Sequence, residues 1–329
     1  MSPRSLLQQG LAIIADCQKQ TGDIWDAHYG TASIAASFLA KSSSITTEVA
    51  QAIINQAEQM VREHTQESSE ALLIESVPVT YAEALSIILP ALDANIDQLH
   101  WVGHNVIYTA VSLLAIRELE AWGSLEHITH IQQLIQAFDR TIAGRSWIGY
   151  KASEVKKLEI TVTDSFPSIE SPAQLSAFIL QELAETDPIY IAEAHHDLIG
   201  HTLTFSHALN ILHDLGQSSL FRRGLHPLLQ MCKVLRASRH WDGHTTDTHR
   251  HRLYSPVDRL PLQQAIPVLF RYTDIEFWQQ NLAKADWDYG HHFKFVWSYN
   301  DHIQRAPQWS QATAIPFHCL IHGIQEENR

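Results

Sequence analysis

Apolar positions recur along most of the chain at intervals of three and four residues, the period of an amphipathic helix. The pattern predicts helices at residues 6–20, 31–39, 49–64, 79–94, 105–120, 125–142, 171–185, 225–238, 262–272, 275–283, 291–305 and 310–324. We therefore predict an all-α protein. Residues 1–329 are expected to form a single large helical domain, or two helical halves around a central histidine-lined cavity.

A few segments depart from the helical period. Residues 157–163 alternate between apolar and polar positions, which predicts a strand in a minor hairpin. Residues 239–254 are polar, rich in histidine and aperiodic, which predicts a surface loop, and polar residues 65–70 predict another. We find no linker of flexible composition and no strict repeat, which favours one domain.

Histidine is the residue type that changes this picture. The chain has 21 histidines in 329 residues, and five of them lie in residues 193–216 together with two aspartates, one glutamate and many apolar residues. Imidazoles among apolar neighbours are expected to be partly buried, and a buried polar ring must hydrogen-bond or bind a metal.

Composition excludes several classes of function. A net charge of −13 disfavours nucleic acid as a partner, and no apolar run reaches the roughly 18 residues of a membrane span. Three scattered cysteines do not suggest disulfides. No Gly-x-Gly pair is present for an NAD or FAD fingerprint, and no zinc-protease, P-loop or serine-hydrolase motif occurs. We expect a soluble, cytoplasmic protein.

Four segments place a histidine just before, or within the first turn of, an apolar helix. These histidines are His28, His104, His201 and His291. Helices packed as a bundle can direct such side chains into one cavity, where neutral imidazole suits iron, copper, nickel or zinc. His207 follows His201 by six residues, so the two converge only if the helix is interrupted between them.

Other histidine patterns give weaker metal sites. His100 and His104 would share one helix face, and His318 and His322 have the same four-residue spacing. Glu193 and His196 have the spacing of a di-iron carboxylate pair, but no second Glu-x-x-His exists in the chain.

The four segments also resemble blocks of the questin oxidase-like proteins, in the same order along the chain. They read Ala27-His28-Tyr-Gly-Thr-Ala-Ser-Ile-Ala, Leu99-His-Trp-Val-Gly-His104-Asn-Val-Ile-Tyr-Thr-Ala-Val, His201-Thr-Leu-Thr-Phe-Ser-His207-Ala-Leu and His291-His-Phe-Lys294-Phe-Val-Trp-Ser-Tyr. This chain differs at Asn105, Tyr108 and Phe205, where the family usually has Gly, Arg and Gly.

The resemblance implies a mostly helical oxygenase that acts on a polycyclic aromatic compound, and it draws attention to His28, His104, His201, His207 and His291 as metal ligands. Chemistry adds Lys294 to this set. An ammonium beside a divalent cation is repelled and desolvated, so its pKa falls. Lys294 could then stay neutral, pair with a carboxylate, or bind the metal as a carbamate.

Our leading hypothesis is a mononuclear non-haem iron oxygenase, with another divalent metal as the open alternative. Three or four of the histidines would bind the ion, and a neighbouring histidine would deprotonate a phenolic substrate that reacts with O₂. The reaction would be of Baeyer–Villiger type or would cleave a carbon–carbon bond. His207 and Tyr108 are the expected catalytic residues. An apolar pocket for the ring system would be lined by Trp101, Tyr108, Phe205, Trp297 and Tyr299.

Two other functions remain open. His213 and Asp214 resemble the central dipeptide of the His-Asp metal phosphohydrolases and oxygenases, although the pair also fits a helix end followed by its Gly216 cap. A helical binding protein without catalytic activity is the second, because a fold does not determine a function.

Overall fold

The computed structural model describes residues 1–21, 23–64, 77–244, 251–280 and 289–326, and within these it confirms the all-α prediction. The α-helices are α1 (Pro3–Thr21), α2 (Ala27–Ala40), α3 (Thr47–His64), α4 (Tyr81–Asp93), α5 (His104–Leu119), α6 (Leu125–Ala137), α7 (Ala152–Val155), α8 (Pro172–Ala184), α9 (Leu198–Asp214), α10 (Ser218–Ser238), α11 (Ile275–Trp278), α12 (Tyr289–Arg305) and α13 (Ser310–Glu326). The predicted loop at residues 65–70 and the end of the helix predicted at 275–283 lie outside the described residues.

Strands in the described residues are two residues long and form three antiparallel pairs. They are β1 (Val79–Thr80), β2 (Ala121–Trp122), β3 (Trp147–Ile148), β4 (Tyr190–Ile191), β5 (Leu253–Tyr254) and β6 (Gln263–Gln264). The pairs are β1 with β2, β3 with β5, and β4 with β6. Each pair joins two connecting segments rather than forming a sheet.

The described chain divides into two compact units. Unit 1 comprises residues 1–95, 107–139 and 270–297, and unit 2 comprises residues 96–106, 140–269 and 298–329. In unit 1, α1 packs on α2 and α6, α2 packs on α3, and α4 packs on α6. In unit 2, α9 packs between α8 and α10, and every residue of α9 from Leu198 to Leu212 is buried.

Two glycines define the crossing of α1 and α2 in unit 1. A Cβ atom placed on Gly10 would lie 2.5 Å from the carbonyl oxygen of Gly30, and one placed on Gly30 would lie 2.5 Å from the carbonyl oxygen of Gly10. Real side chains do not tolerate such distances to backbone atoms. The two helices therefore approach closely because neither glycine has a side chain.

The strand predicted at residues 157–163 is wrong. Lys157 lies in the turn after α7, residues 158–161 are irregular, and residues 162–164 form a 3₁₀ turn, so the segment pairs with none of the described strands. Side chains of α10 take the place of a partner strand, because Gln230 donates to the Leu158 carbonyl at 2.8 Å and Lys233 donates to the Glu159 carbonyl at 2.8 Å. The alternating residues therefore belong to an irregular segment whose carbonyl oxygens are bound by side chains of α10.

The helix predicted at residues 262–272 is also wrong. Gln263–Gln264 instead pairs with Tyr190–Ile191, and the following residues are irregular. Pro267 explains the error, since proline lacks an amide hydrogen and disfavours the helical conformation at the residue before it. The predicted loop at residues 239–254 is only partly correct, because it contains β5 and the buried Trp241. Residues 245–250 of that loop lie outside the described residues.

Among the described residues, no helix is both long enough and apolar enough to cross a bilayer.

Candidate metal centre

The four histidines singled out from the sequence all lie in the first turn of a long helix, as predicted. His28 is the second residue of α2, His104 the first of α5, His201 the fourth of α9 and His291 the third of α12. All four side chains are buried. A first-turn side chain points back toward the helix N-terminus, where backbone groups have no partner within the helix.

Three of these histidines form a group that could hold a metal ion. One ring nitrogen each from His28, His201 and His291 lies within 4.8 Å of the other two. Metal–nitrogen bonds of about 2.1 Å separate neighbouring ligand nitrogens by about 3–4 Å. The limit of 4.8 Å on their separation is therefore close to the spacing that a bound ion requires.

The hydrogen bonds of the imidazoles orient them for this task. Nδ1 of His28 lies 2.9 Å from the Trp25 carbonyl oxygen, and Nδ1 of His201 lies 2.8 Å from the Asp197 carbonyl oxygen. A carbonyl oxygen only accepts, so each Nδ1 carries the proton and each Nε2 carries the lone pair that a metal requires. Metal-binding histidines commonly have their second nitrogen fixed in this way.

Tyr108 contacts His28 directly. Its hydroxyl oxygen lies 2.7 Å from His28 Nδ1, so the Nδ1 hydrogen is shared between this oxygen and the Trp25 carbonyl. Tyr108 is buried on α5, and burial, with smaller contributions from Cys17 and Asp23, raises the pKa of its phenol well above the ordinary value. The side chain is therefore a neutral phenol that positions His28.

His104 lies beside this group without belonging to it. Its Nδ1 is hydrogen-bonded to the Trp101 carbonyl oxygen, and its ring centre is 4.9 Å from that of His201. The prediction that His100 and His104 share a helix face is wrong. Trp101 and Val102 have φ angles of 42° and 51°, so the chain turns sharply between the two histidines before α5 begins.

His207 lies in a different network from the group of three. Helix α9 runs unbroken through Thr204 and Phe205, so a residue six positions after His201 faces another direction. Nδ1 of His207 is 3.0 Å from the Ser298 hydroxyl, and Nε2 is 3.7 Å from the Asp301 carboxylate. Burial lowers the pKa of His207, and the Asp301 charge offsets part of this effect.

Lys294 is buried on α12, three residues after His291. Side chains with this spacing leave a helix on the same face. Its position is therefore compatible with the predicted role next to a metal, and carbamylation of Lys294 stays a prediction.

The carboxylate–histidine pair Glu193 and His196 has other partners. Glu193 accepts two hydrogen bonds from Arg145 Nε, at 2.8 and 2.9 Å, and a third from Nη2 at 2.7 Å. His196 Nδ1 accepts from the Ala192 amide at 2.9 Å. These bonds hold one turn of π-helix at Glu193–Asp197, just before α9. The pair therefore has a structural role.

The His213–Asp214 dipeptide lies at the partly exposed end of α9. Asp214 is ion-paired with Arg305 at 2.6 Å, and Gly216 follows with a φ of 82°. A glycine in this left-handed conformation is a typical helix terminator, as the sequence predicted.

Three of the five aromatic residues proposed to line a pocket pack against other rings, and one of these is Tyr108, which lies 5.8 Å from Phe138 between ring centres. Trp297 is stacked on Phe38 with ring centres 5.4 Å apart, and Tyr299 is stacked on Phe317 with ring centres 3.8 Å apart. The substrate pocket stays a prediction.

Sequence reasoning missed His302. This fully buried histidine of α12 accepts or donates hydrogen bonds at both ring nitrogens, with the Ser176 hydroxyl at Nδ1 (2.9 Å) and with the Ser206 hydroxyl (2.9 Å) and Leu203 carbonyl (3.0 Å) at Nε2. Burial lowers its pKa from 6.5 to about 4. The available signal was its spacing of eleven residues from His291, which is about three helical turns.

The residues of the group fit a transition metal. Three buried imidazoles suit iron, zinc, copper or nickel, whereas magnesium and calcium prefer oxygen ligands. Comparisons of the chain with models of known protein families, with curated proteins and with solved structures found no match.

Proposed function

We propose that this protein is a metal-dependent oxygenase in which His28, His201 and His291 hold a divalent ion, with non-haem iron as the leading candidate. The observation that carries the proposal is the approach of three buried ring nitrogens to within 4.8 Å of one another. The resemblance to the questin oxidase-like proteins supplies the reaction class and an aromatic, polycyclic substrate.

When bound, the ion would act as a Lewis acid and as the centre at which O₂ reacts with the substrate. The surrounding residues hold the ligands in place. The Trp25 and Asp197 carbonyl oxygens keep the protons of His28 and His201 on Nδ1, and the Tyr108 hydroxyl shares the first of these hydrogen bonds. Burial of all three ligands excludes water, which strengthens their attraction to a cation.

His207 and Tyr108 remain the proposed catalytic residues, with different tasks. Tyr108 is a neutral phenol whose oxygen accepts a share of the His28 Nδ1 hydrogen. Because burial lowers its pKa, His207 is a neutral base at pH 7, and its contact with the Ser298 hydroxyl gives it a proton-transfer partner.

The test begins with the metal. Protein purified without an affinity tag or chelator should contain about one transition-metal ion per chain by elemental analysis. The iron-loaded protein should then consume O₂ when a hydroxyanthraquinone is added, and protein treated with a chelator should not. Full O₂ consumption in chelator, or no stoichiometric metal under any loading condition, would contradict the proposal.

A further inference from the structure

A second cluster of polar groups lies in unit 2 and consists of the side chains of Lys156 and His100 and the backbone carbonyl of Thr141. The Lys156 ammonium donates to the Thr141 carbonyl oxygen at 2.6 Å and lies 3.3 Å from His100 Nδ1. His100 is buried, and Lys156 is half-buried. This cluster shares no residue with the proposed metal centre.

The backbone around the cluster is fixed on two sides. The amides of Trp101 and Val102 donate to the carbonyl oxygens of Ile142 and Ala143 at 2.8 and 2.7 Å, which holds His100 next to Thr141. Lys156 follows the short helix α7, and the buried Gln230 of α10 donates to its carbonyl oxygen at 3.4 Å. The side chains therefore meet on a rigid frame.

Lys156 differs from an ordinary surface lysine in its partners. In the part of the chain that the structure describes, no carboxylate is ion-paired with its ammonium, which contacts only an imidazole and a carbonyl oxygen. Lys233 shows the usual arrangement, since its ammonium is 2.8 Å from the Asp164 carboxylate. Burial without a compensating negative charge favours the neutral amine and lowers the pKa of Lys156.

We infer that Lys156 is a nucleophilic lysine that forms an imine with a small uncharged aldehyde, and that His100 is its acid–base partner. The neutral amine nitrogen adds to the carbonyl carbon, and one of its two N–H protons moves to the carbonyl oxygen to give a carbinolamine. The second N–H proton then moves to the hydroxyl group, which leaves as water while the C=N bond forms, so that amine and aldehyde give imine and water. His100 Nδ1, 3.3 Å from the amine, accepts each of these protons from nitrogen and passes it to the oxygen.

The half-buried position of the amine favours an uncharged aldehyde, because a charged one would lose hydration on approach.

The test is competitive reductive alkylation of the full chain. Protein is treated with propanal and cyanoborohydride at pH 7, and alkylation of each lysine is followed by mass spectrometry after digestion with a protease that does not cut at lysine. Lys156 should react at least about fivefold faster than its exposed neighbour Lys157, since each unit of lowered pKa gives about tenfold more free amine. Lys233, which is ion-paired, should not show this enhancement.

The variant His100→Asn separates base catalysis from exposure. It should slow the alkylation of Lys156 at least about threefold and leave the rate at Lys157 unchanged, with circular dichroism as the check on folding. If the variant does not fold, the ratio of the alkylation rates of Lys156 and Lys157 in the unmodified protein tests the inference by itself. A Lys156 rate equal to or below that of Lys157, or an unchanged Lys156 rate in folded His100→Asn protein, would overturn the inference.

Discussion

Two groups of buried histidines have different surroundings, and the difference lies in what each ring nitrogen contacts. In the group of His28, His201 and His291, backbone carbonyl oxygens bind Nδ1 of the first two, and one nitrogen of each ring lies within 4.8 Å of the others. In the network of His207 and His302, hydroxyl groups and a carboxylate contact the rings. A metal at His302 would have to displace a protein hydrogen bond at either nitrogen.

This comparison shows that burial alone does not identify a metal ligand. His302 is less exposed than His28, yet its hydrogen bonds are satisfied by Ser176, Ser206 and Leu203. In His28 and His201, a carbonyl oxygen at Nδ1 fixes the tautomer whose lone pair is on Nε2, where a metal can bind. In His302, both ring nitrogens already take part in hydrogen bonds within the protein.

The largest effect is expected from removing a ligand. His28→Ala, His201→Ala or His291→Ala should weaken binding of Co²⁺ by well over about 100-fold, because even changes to residues behind a ligand cost about 10- to 100-fold. Titration followed by the visible absorption of Co²⁺ measures this. His207→Gln is the matched control and should bind Co²⁺ as the unmodified protein does. An equal loss of Co²⁺ affinity in His207→Gln would show that His207 belongs to the same site as the other three histidines, which would contradict the separation into two groups.

The next largest effect is expected on the pH dependence of the free energy of unfolding, through His302 of the His207–His302 network. The pKa of His302 is lowered from 6.5 to about 4, so the unfolded chain takes up a proton before the folded protein does. The stability that neutral His302 provides is complete above about pH 6.5 and is lost as the pH falls toward 4, by about 3 kcal/mol in total.

Denaturant unfolding between pH 7.5 and 4.5 measures this loss. In His302→Gln, which keeps a hydrogen-bonding side chain, the free energy of unfolding should fall less steeply with decreasing pH. An identical slope in the variant would show that His302 does not titrate in this range.

A smaller effect is expected at Tyr108. Tyr108→Phe removes the hydroxyl 2.7 Å from His28 Nδ1, and affinity for Co²⁺ should fall about tenfold, with a change in the Co²⁺ absorption spectrum. Tyr299→Phe is the matched control, since the Tyr299 hydroxyl bonds Thr313 instead. Unchanged affinity and spectrum in Tyr108→Phe would remove Tyr108 from the site.

The smallest effect should come from Asp214. Asp214→Asn breaks a partly exposed ion pair with Arg305, so the free energy of unfolding should change by at most about 1 kcal/mol and metal binding should be retained. Calorimetry and Co²⁺ titration of the same sample measure both. Loss of metal binding in Asp214→Asn would instead favour a site of the His-Asp type.

Local periodicity predicted the long helices and the position of each key histidine in a first turn. It could not predict the neighbours of a buried face, because a helical period defines a face without defining what packs on it. His302 was missed for this reason, since the helix predicted at residues 291–305 does not say which elements pack on it, and His302 is fully buried. The helix predicted at residues 262–272 was wrong for a different reason. The prediction followed the apolar pattern and neglected Pro267, which disfavours a helix there.

The grouping of His28, His201 and His291 also required the folded chain. They are separated by 173 and 90 positions, and sequence spacing gives no distance over such intervals. The sequence did predict a group of histidines that could bind a metal, because a buried imidazole at the start of an apolar helix must either form hydrogen bonds or bind an ion.

The contact between Gly10 and Gly30 links α1 to the proposed metal centre, although no residue of α1 belongs to that centre. His28 lies two residues before Gly30 on α2, and an added methyl group at either glycine would force the helices apart by clashing with a backbone oxygen. A substitution at position 10 would therefore displace His28 by moving α2, and would disturb the proposed metal centre without changing any of its three histidines.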